Sequence, residues 1–200
     1  FNYNYIDLNV LFELDPNQHP EIKNLIESIQ NWDRSADADS YGAGSYGIFY
    51  YLFGKKYFKL LSDDKVATKQ MIIDCLKDTK EKMLSDFGSE NVKLGEFQKL
   101  VRGNKEIPIY GLPDVLTAMR GVDHKDGQIK VTHGESYIEL VKFTKNKTEI
   151  ESIISYGSSD RKNSVHYSDQ MDMYSKFQTK KMTFDKKEIY KNAEKIYHPN

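Results

Sequence analysis

Residues 128–156 read QIKVTHGESYIELVKFTKNKTEIESIISY, and the fold class turns on them. Gly127 opens a strand over Gln128 to Thr132, and His133-Gly134-Glu135 makes a tight connection. Ser136 to Thr144 then alternates, with Tyr137, Ile138, Leu140, Val141 and Phe143 supplying the β-branched and aromatic content of a strand. Asn146-Lys147 is a turn, and Glu149 to Tyr156 is the returning partner. This is a meander or hairpin of antiparallel strands.

Outward from that centre the periodicity is helical on both sides. Upstream, Phe1 to Pro20 is a polar and aromatic lead-in with a turn at Asp15-Pro16-Asn17. Pro20 occupies the first turn of a helix, where its missing N–H costs nothing. Ile22, Leu25, Ile26 and Ile29 form the apolar face, and Trp32 ends it. Asp37-Ala38-Asp39-Ser40 is a helix entry with capping side chains. It leads into Tyr41 to Tyr57, a stretch apolar nearly all round and therefore expected to be buried. Asp63-Asp64 begins another helix, Lys65 to Phe87. Its stripe is Val66, Ile72, Ile73, Leu76, Met83, Leu84 and Phe87, and Gly88 stands at the C′ position.

Leu94 to Tyr110 reads as extended, broken by Gly95, Gly103 and Pro108, and Pro113 starts a short helical turn through Met119. Downstream, helices are expected over His166 to Phe177 and Asp185 to Tyr197. Helices, then strands, then helices make an α+β chain rather than an alternating βαβ wind. It is read as a single domain or fragment: lead-in 1–20, helical part 21–88, extended and strand part 89–165, C-terminal helices 166–200.

The charge balance excludes some partners. Charged residues are 30% of the chain but cancel to a formal net charge of -1, so neither nucleic acid nor an acidic membrane is expected. No stretch is long and apolar enough to span a bilayer. The single cysteine, Cys75, excludes an internal disulfide framework and reads as a buried inert thiol. The chain opens on Phe1 rather than Met, as a processed product or a cut piece would.

Chemistry-bearing patterns are sparse. The histidines, His19, His124, His133, His166 and His198, lack metal-ligand spacing. Gly44-Ser45-Tyr46-Gly47 departs from the G-x-S-x-G spacing, and Ser136 sits in a turn before a strand. Gly157-Ser158-Ser159-Asp160 has no GK[ST] to follow it, so it reads as a loop in which Asp160 bonds backbone amides. Asp33, Asp37 and Asp39 cluster and could bind a cation, but helix capping explains them more cheaply. Asn146-Lys147-Thr148 is a formal glycosylation sequon. The residues alone give an α+β domain without an active site.

Several segments, in one order, resemble a known family. Asn31-Trp32-Asp33-Arg34 with Ala36-Asp37-Ala38-Asp39-Ser40-Tyr41-Gly42-Ala43 resembles the WDxxxxxDSxGA segment of penicillin acylases and of acyl-homoserine-lactone acylases. Leu94-Gly95-Glu96-Phe97 with Leu100, Arg102-Gly103 and Ile107-Pro108 resembles WGxxxxLxRGxxxxP, with Leu94 in place of Trp. Gly111-Leu112-Pro113-Asp114-Val115-Leu116 resembles GGPDVLxA. Gly134-Glu135-Ser136-Tyr137 is similar to GDSY. Ser155 to Asp160 with His166-Tyr167-Ser168-Asp169-Gln170 is similar to YGQSxDPxSPHYxDQ, with Lys162 and Val165 in the region that carries prolines there. Ser175, Phe184 and Ile189 continue the tail, with Thr183 in place of proline.

The resemblance implies the C-terminal portion of an αββα N-terminal-nucleophile fold, in which an exposed N-terminal Ser attacks an amide and its own α-amine acts as base. An oxyanion hole with an Asn side chain stabilises the intermediate, and no cofactor takes part. Phe1 has no nucleophilic atom, and no QNxN-type segment is present, so no catalytic residue carries over. Trp32, Asp33, Ser40, Gly42, Gly134, Ser136, Gly157, Asp160, His166, Tyr167, Asp169 and Gln170 are implied as structural motif positions. For His166 and Asp169 a hydrogen-bonded tie is expected.

The implied partners are the remaining part of the same precursor, its α-chain and N-terminal β-chain segment, with a small-molecule amide substrate in the intact enzyme. Self-association of the piece is expected through apolar surface left uncovered. The family's habit implies a periplasmic or secreted location. The alternatives are a free-standing binding or structural module of the same descent, and an unrelated hydrolase using Ser45 or Ser136.

Overall fold

The computed structural model describes residues 8–61, 67–113 and 115–196. The chain divides into two compact units, Phe1–Gly134 and Glu135–Asn200. The division falls between His133-Gly134 and the hairpin, inside the run read from sequence as one extended part.

The first unit is a helical cluster with a small sheet. The lead-in is not featureless: α1 (Leu8–Phe12) precedes a 3-10 turn at Pro16–Gln18 that Asp15 caps. A second 3-10 turn, Pro20–Ile22, runs into α2 (Lys23–Gln30), which buries Leu25, Ile26 and Ile29. α3 (Tyr41–Leu61) is the long apolar helix, with Ala43, Ile48, Phe49 and Phe53 buried. α4 (Lys69–Phe87) starts at Thr68, whose hydroxyl accepts from Met71 N–H, and ends at Gly88 with φ +70°. The left-handed conformation lets the Gly88 N–H reach the last carbonyls of the helix.

The buried positions of α4 are Ile72, Ile73, Cys75, Leu76, Thr79 and Met83. Leu84, expected in the stripe, is exposed. It follows Met83 by one residue, and that step turns its side chain about 100° away from the buried face. Val66, also expected there, lies outside the described residues. The residues of α1 to α4 share one apolar core, which Phe97 and Ile129 join. Each such side chain contributes roughly 1.5–3 kcal/mol by leaving water.

Residues 94–110, expected to be extended, begin with one helical turn, α5 (Leu94–Phe97). Glu96 causes it, because its carboxylate accepts the Lys93 N–H. The sheet order is β2-β1-β4-β3, formed by β1 (Gln98–Arg102), β2 (Lys105–Pro108), β3 (Arg120–Asp123) and β4 (Ile129–His133). β1 and β4 run parallel, a pairing that the antiparallel reading did not include. In place of a helical turn after Pro113, the described residues make bends and a bridge between Leu112 and Ala118; Asp114 lies outside them.

The second unit is a sheet of order β5-β6-β7 with short helices. β5 (Tyr137–Phe143) and β6 (Thr148–Ile154) form the expected hairpin, with Tyr137 opposite Ile154 and Phe143 opposite Thr148. β7 (Lys180–Met182) adds an antiparallel strand that sequence did not suggest. The helix expected over His166 to Phe177 is a 3-10 turn, Val165–Tyr167, and one helical turn, α6 (Met171–Tyr174). α7 (Lys186–Asn192) is shorter than expected, and Asp185 caps it. Tyr197 lies outside the described residues. Among the described residues no helix is long and apolar enough to cross a membrane.

Candidate functional site

The turn between α2 and α3 is built by its own side chains. The Asp33 carboxylate accepts the Ser35 N–H at 2.8 Å, which folds the chain back over Arg34. Arg34 itself takes a positive φ of 68°, a conformation costly for a residue with a Cβ. Its guanidinium lies 3.6 Å from the Phe12 ring centroid and 5.7 Å from that of Trp32, so two cation–π contacts favour the turn. The Trp32 indole N–H donates to the Ser35 carbonyl at 2.8 Å, and the ring stacks on Tyr46 at 5.3 Å. Ser40 caps α3 as expected, its hydroxyl accepting the Ala43 N–H at 3.1 Å.

This turn walls an open cleft of about 540 Å³, lined by Ser28, Trp32, Asp33, Asp37, Asp39 and Tyr41 among others. The three aspartates do not form a cation site. Asp33 holds the turn, and Asp39 pairs with Lys93 at 2.9 Å. That hydrogen bond raises the Lys93 pKa above its ordinary value. Among the described residues, no group of three or more His, Cys, Asp or Glu side chains could hold a metal ion.

The first three family-like segments meet at this turn. The carbonyl of Ala36 accepts the Gly111 N–H at 2.8 Å, that of Ala38 accepts the Gly95 N–H at 2.7 Å, and that of Ser40 accepts the Leu94 N–H at 3.1 Å. Three carbonyls of this short segment, which turns at Ala38-Asp39, thus bind two segments far away in sequence. Gln98, which sequence reasoning did not single out, completes the junction. It is 2% exposed, and its side-chain amide donates toward the carbonyls of Ile109, Tyr110 and Gly111 at 3.4, 3.1 and 2.9 Å. With Glu96 and Lys99 as polar neighbours, nothing in the sequence set Gln98 apart.

Two of the candidate nucleophiles, Ser45 and Cys75, are buried away from solvent. Ser45 is fully buried on α3, 3.0 Å from the Ser28 hydroxyl. Cys75 is also fully buried, and loss of solvation pushes its thiol up to about 12. Ser136 is exposed at the entry to β5, and its carbonyl accepts the Ser155 N–H. Gly134 ends the first unit beside Met119, whose sulfur stands 2.5 Å from where a Cβ would be.

In the second unit the remaining motif residues close one loop. The His166 carbonyl accepts the Ser159 N–H at 3.1 Å, and the Tyr156 carbonyl accepts the Gln170 N–H at 2.9 Å. A side chain at Gly157 would meet the His166 carbonyl and approach the Asp169 carboxylate within 2.7 Å, so the two strands of the loop touch because this residue is glycine. Gln170 is buried, and its side-chain oxygen accepts the Ile154 N–H at the end of β6.

The His166 ring lies between two carboxylates, with Nδ1 2.9 Å from Asp169 and Nε2 3.0 Å from Glu194. Both hydrogen bonds raise its pKa above the usual 6.5, that from Asp169 most. Tyr167 is half-buried in the 3-10 turn. Asp160 is exposed, and the backbone amide bond expected of it is made by a neighbour: the Arg161 N–H donates to the Ser159 hydroxyl at 3.2 Å. Glu194, absent from any motif, had no sequence signal.

Comparison with known proteins bears on what these two constellations belong to. The family model described as penicillin amidase matches residues 2–191. Acyl-homoserine lactone acylase PvdQ of Pseudomonas syringae pv. syringae is 33% identical over 100 residues, 48% of this chain and 13% of that protein. Its counterpart in Pseudomonas savastanoi pv. phaseolicola is 32% identical over 104 residues, 50% of this chain and again 13% of the relative. These matches therefore span a small part of the relatives' length. A thermostable penicillin G acylase from Alcaligenes faecalis overlays 96% of this chain on 38% of its own, at 14% identity and a TM-score of 0.31, a loose likeness that adds nothing to the assignment.

Proposed function

Because this chain belongs to the penicillin amidase family, we propose that it is the scaffold part of an amidohydrolase that cleaves the amide bond of acylated small molecules. The substrates are amides of the kind named by its family and its relatives, β-lactams with an acyl side chain or acyl-homoserine lactones. An N-terminal Ser outside these residues attacks the amide carbonyl, the amine leaves, and water releases the acyl group from the Ser oxygen. Preorganised donors in that other part of the polypeptide stabilise the oxyanion. The enzyme is exported, and the remainder of the precursor is this chain's partner.

The observation that carries this reading is the junction at residues 36–40. Three segments matching the family's order are joined there by backbone hydrogen bonds, and the side chains of the turn are engaged in holding it. Such an arrangement supports a structural role for the motif rather than an attacking one. Ser45, buried against Ser28, supports the same division of labour.

The test uses the longer gene product. It should hydrolyse an N-acyl-homoserine lactone or a phenylacetyl amide, and Ser45→Ala and Ser136→Ala should leave kcat/KM within about twofold of wild type. Loss of turnover in either variant, with its fold intact by circular dichroism, would return the chemistry to this chain and overturn the reading.

A further inference from the structure

Residues 183–196 of the second unit carry little packing of their own. Every one of them is exposed, and α7 buries none of its side chains. At one end the stretch continues from β7, which strand pairing holds to β6. Toward the other end Glu194 reaches the His166 ring, 28 residues back in the chain. The stretch is thus a strap, fixed by a strand at one end and by a carboxylate–imidazole contact near the other.

That contact depends on how many protons the ring carries. Nδ1 stands 2.9 Å from the Asp169 carboxylate and Nε2 3.0 Å from that of Glu194. An ionised carboxylate accepts hydrogen bonds and donates none. Imidazolium has two N–H groups and satisfies both partners. Neutral imidazole has one, so its other nitrogen turns a lone pair toward a carboxylate and that contact becomes repulsive.

The two carboxylates are not equally placed to lose. Asp169 follows His166 by three residues, and its oxygen lies within 2.7 Å of where a side chain at Gly157 would be, so the loop confines it. Glu194 is 78% exposed, on a stretch that buries nothing. The single remaining proton therefore stays on Nδ1, and Glu194 lets go. The charged groups that act on the ring are Asp169, just before α6, and Glu194, from the strap. The facing loop meets residue 166 through backbone alone, the Ser159 N–H donating to the His166 carbonyl.

We propose that the strap 183–196 is a pH-operated catch, closed on His166 while both ring nitrogens are protonated and released when one proton is lost. Release uncovers Nε2 of His166. The catch holds at mildly acidic pH and opens as pH rises through the raised folded value of the histidine. It stands on these contacts and not on the enzymatic reading.

Limited proteolysis of the longer gene product with proteinase K, at about pH 6 and about pH 9, tests this, with cuts inside residues 183–196 read by mass spectrometry. At each pH the rate is divided by that for a free peptide of the same sequence, which removes the protease's own pH dependence. The contact is half-exposed and screened by solvent, so the expected rise from the lower to the higher pH is about threefold. Glu194→Ala should be cut at the fast rate at both pH values. Glu194→Gln should be cut slowly at both, because an amide accepts from imidazolium and donates to neutral imidazole. Equal normalised rates in the wild type overturn the proposal, as does a rise that persists in Glu194→Gln. Slow cutting of Glu194→Ala would show that other contacts hold the strap, and overturns it equally.

Discussion

The side chain of Trp32 fills the space that any side chain at position 42 would need. A Cβ built on Gly42 would stand 2.5 Å from the Trp32 Cγ, well inside van der Waals contact. The glycine near the start of α3 is therefore what allows the indole to stack on Tyr46 and to reach the Ser35 carbonyl.

Gly42→Ala sets two effects against each other. Alanine favours a helix by about 0.5–1 kcal/mol over glycine. Forcing a methyl group into a filled site costs about 1–3 kcal/mol. The clash wins, and a net loss of stability is expected in urea unfolding. Trp32 is the only tryptophan, so its fluorescence reports the same event directly: emission should shift to the red in the folded variant.

Gln98→Ala should cost about 1–3 kcal/mol, because it leaves buried carbonyls at residues 109–111 without the donor that faces them. Gln98→Glu should cost at least as much, since an acceptor then faces three acceptors. Thermal melts of both variants beside Gln98→Met, which keeps the volume and also lacks the donor, check the cause. Wild-type stability in all three would show the amide to be idle.

Cys75 should resist alkylation in the folded chain, since burial holds the thiol protonated with a pKa of about 12. Its reaction with iodoacetamide at pH 8 should speed up by at least about a hundredfold in denaturant, read by mass spectrometry. Rapid labelling of the native chain would contradict the burial.

His166 gives a pH dependence of definite sign. Its pKa in the folded chain is raised, first by Asp169 and then by Glu194, relative to the ordinary 6.5. The stability it contributes is therefore fully present below about pH 6.5 and is lost as pH rises through the higher folded value. Proton NMR should show His166 titrating above the usual histidine range, and Asp169→Asn should bring it down. A titration at 6.5 in both proteins would mean that the ring does not pair with these carboxylates.

What sequence made legible was whatever local chemistry decides. Gly88 closes α4, Ser40 caps α3, and the alternation from Tyr137 to Phe143 gave β5 and its partner, whereas the cap of α4 at Thr68 was not anticipated. What it hid depends on distant partners. Lys180–Met182 is a strand only because β6 offers it an edge, and Arg120–Asp123 only because β4 does. The helix expected at His166 is cut short because Ser159, Tyr156 and Gly157 hold that loop from the other side.

For the site, the motif order located the turn at Trp32 and the loop at His166. Gln98 and Glu194 were invisible, since each acts on groups 11 or more residues away.

The claim that these residues support an attacking group located elsewhere is tested most directly by turnover. Purified chain Phe1–Asn200 is assayed at high concentration with an N-acyl-homoserine lactone and a phenylacetyl amide, with amine release read by mass spectrometry. The expected result is release at the uncatalysed rate. Sustained release proportional to the amount of this chain, surviving a second purification, would contradict it.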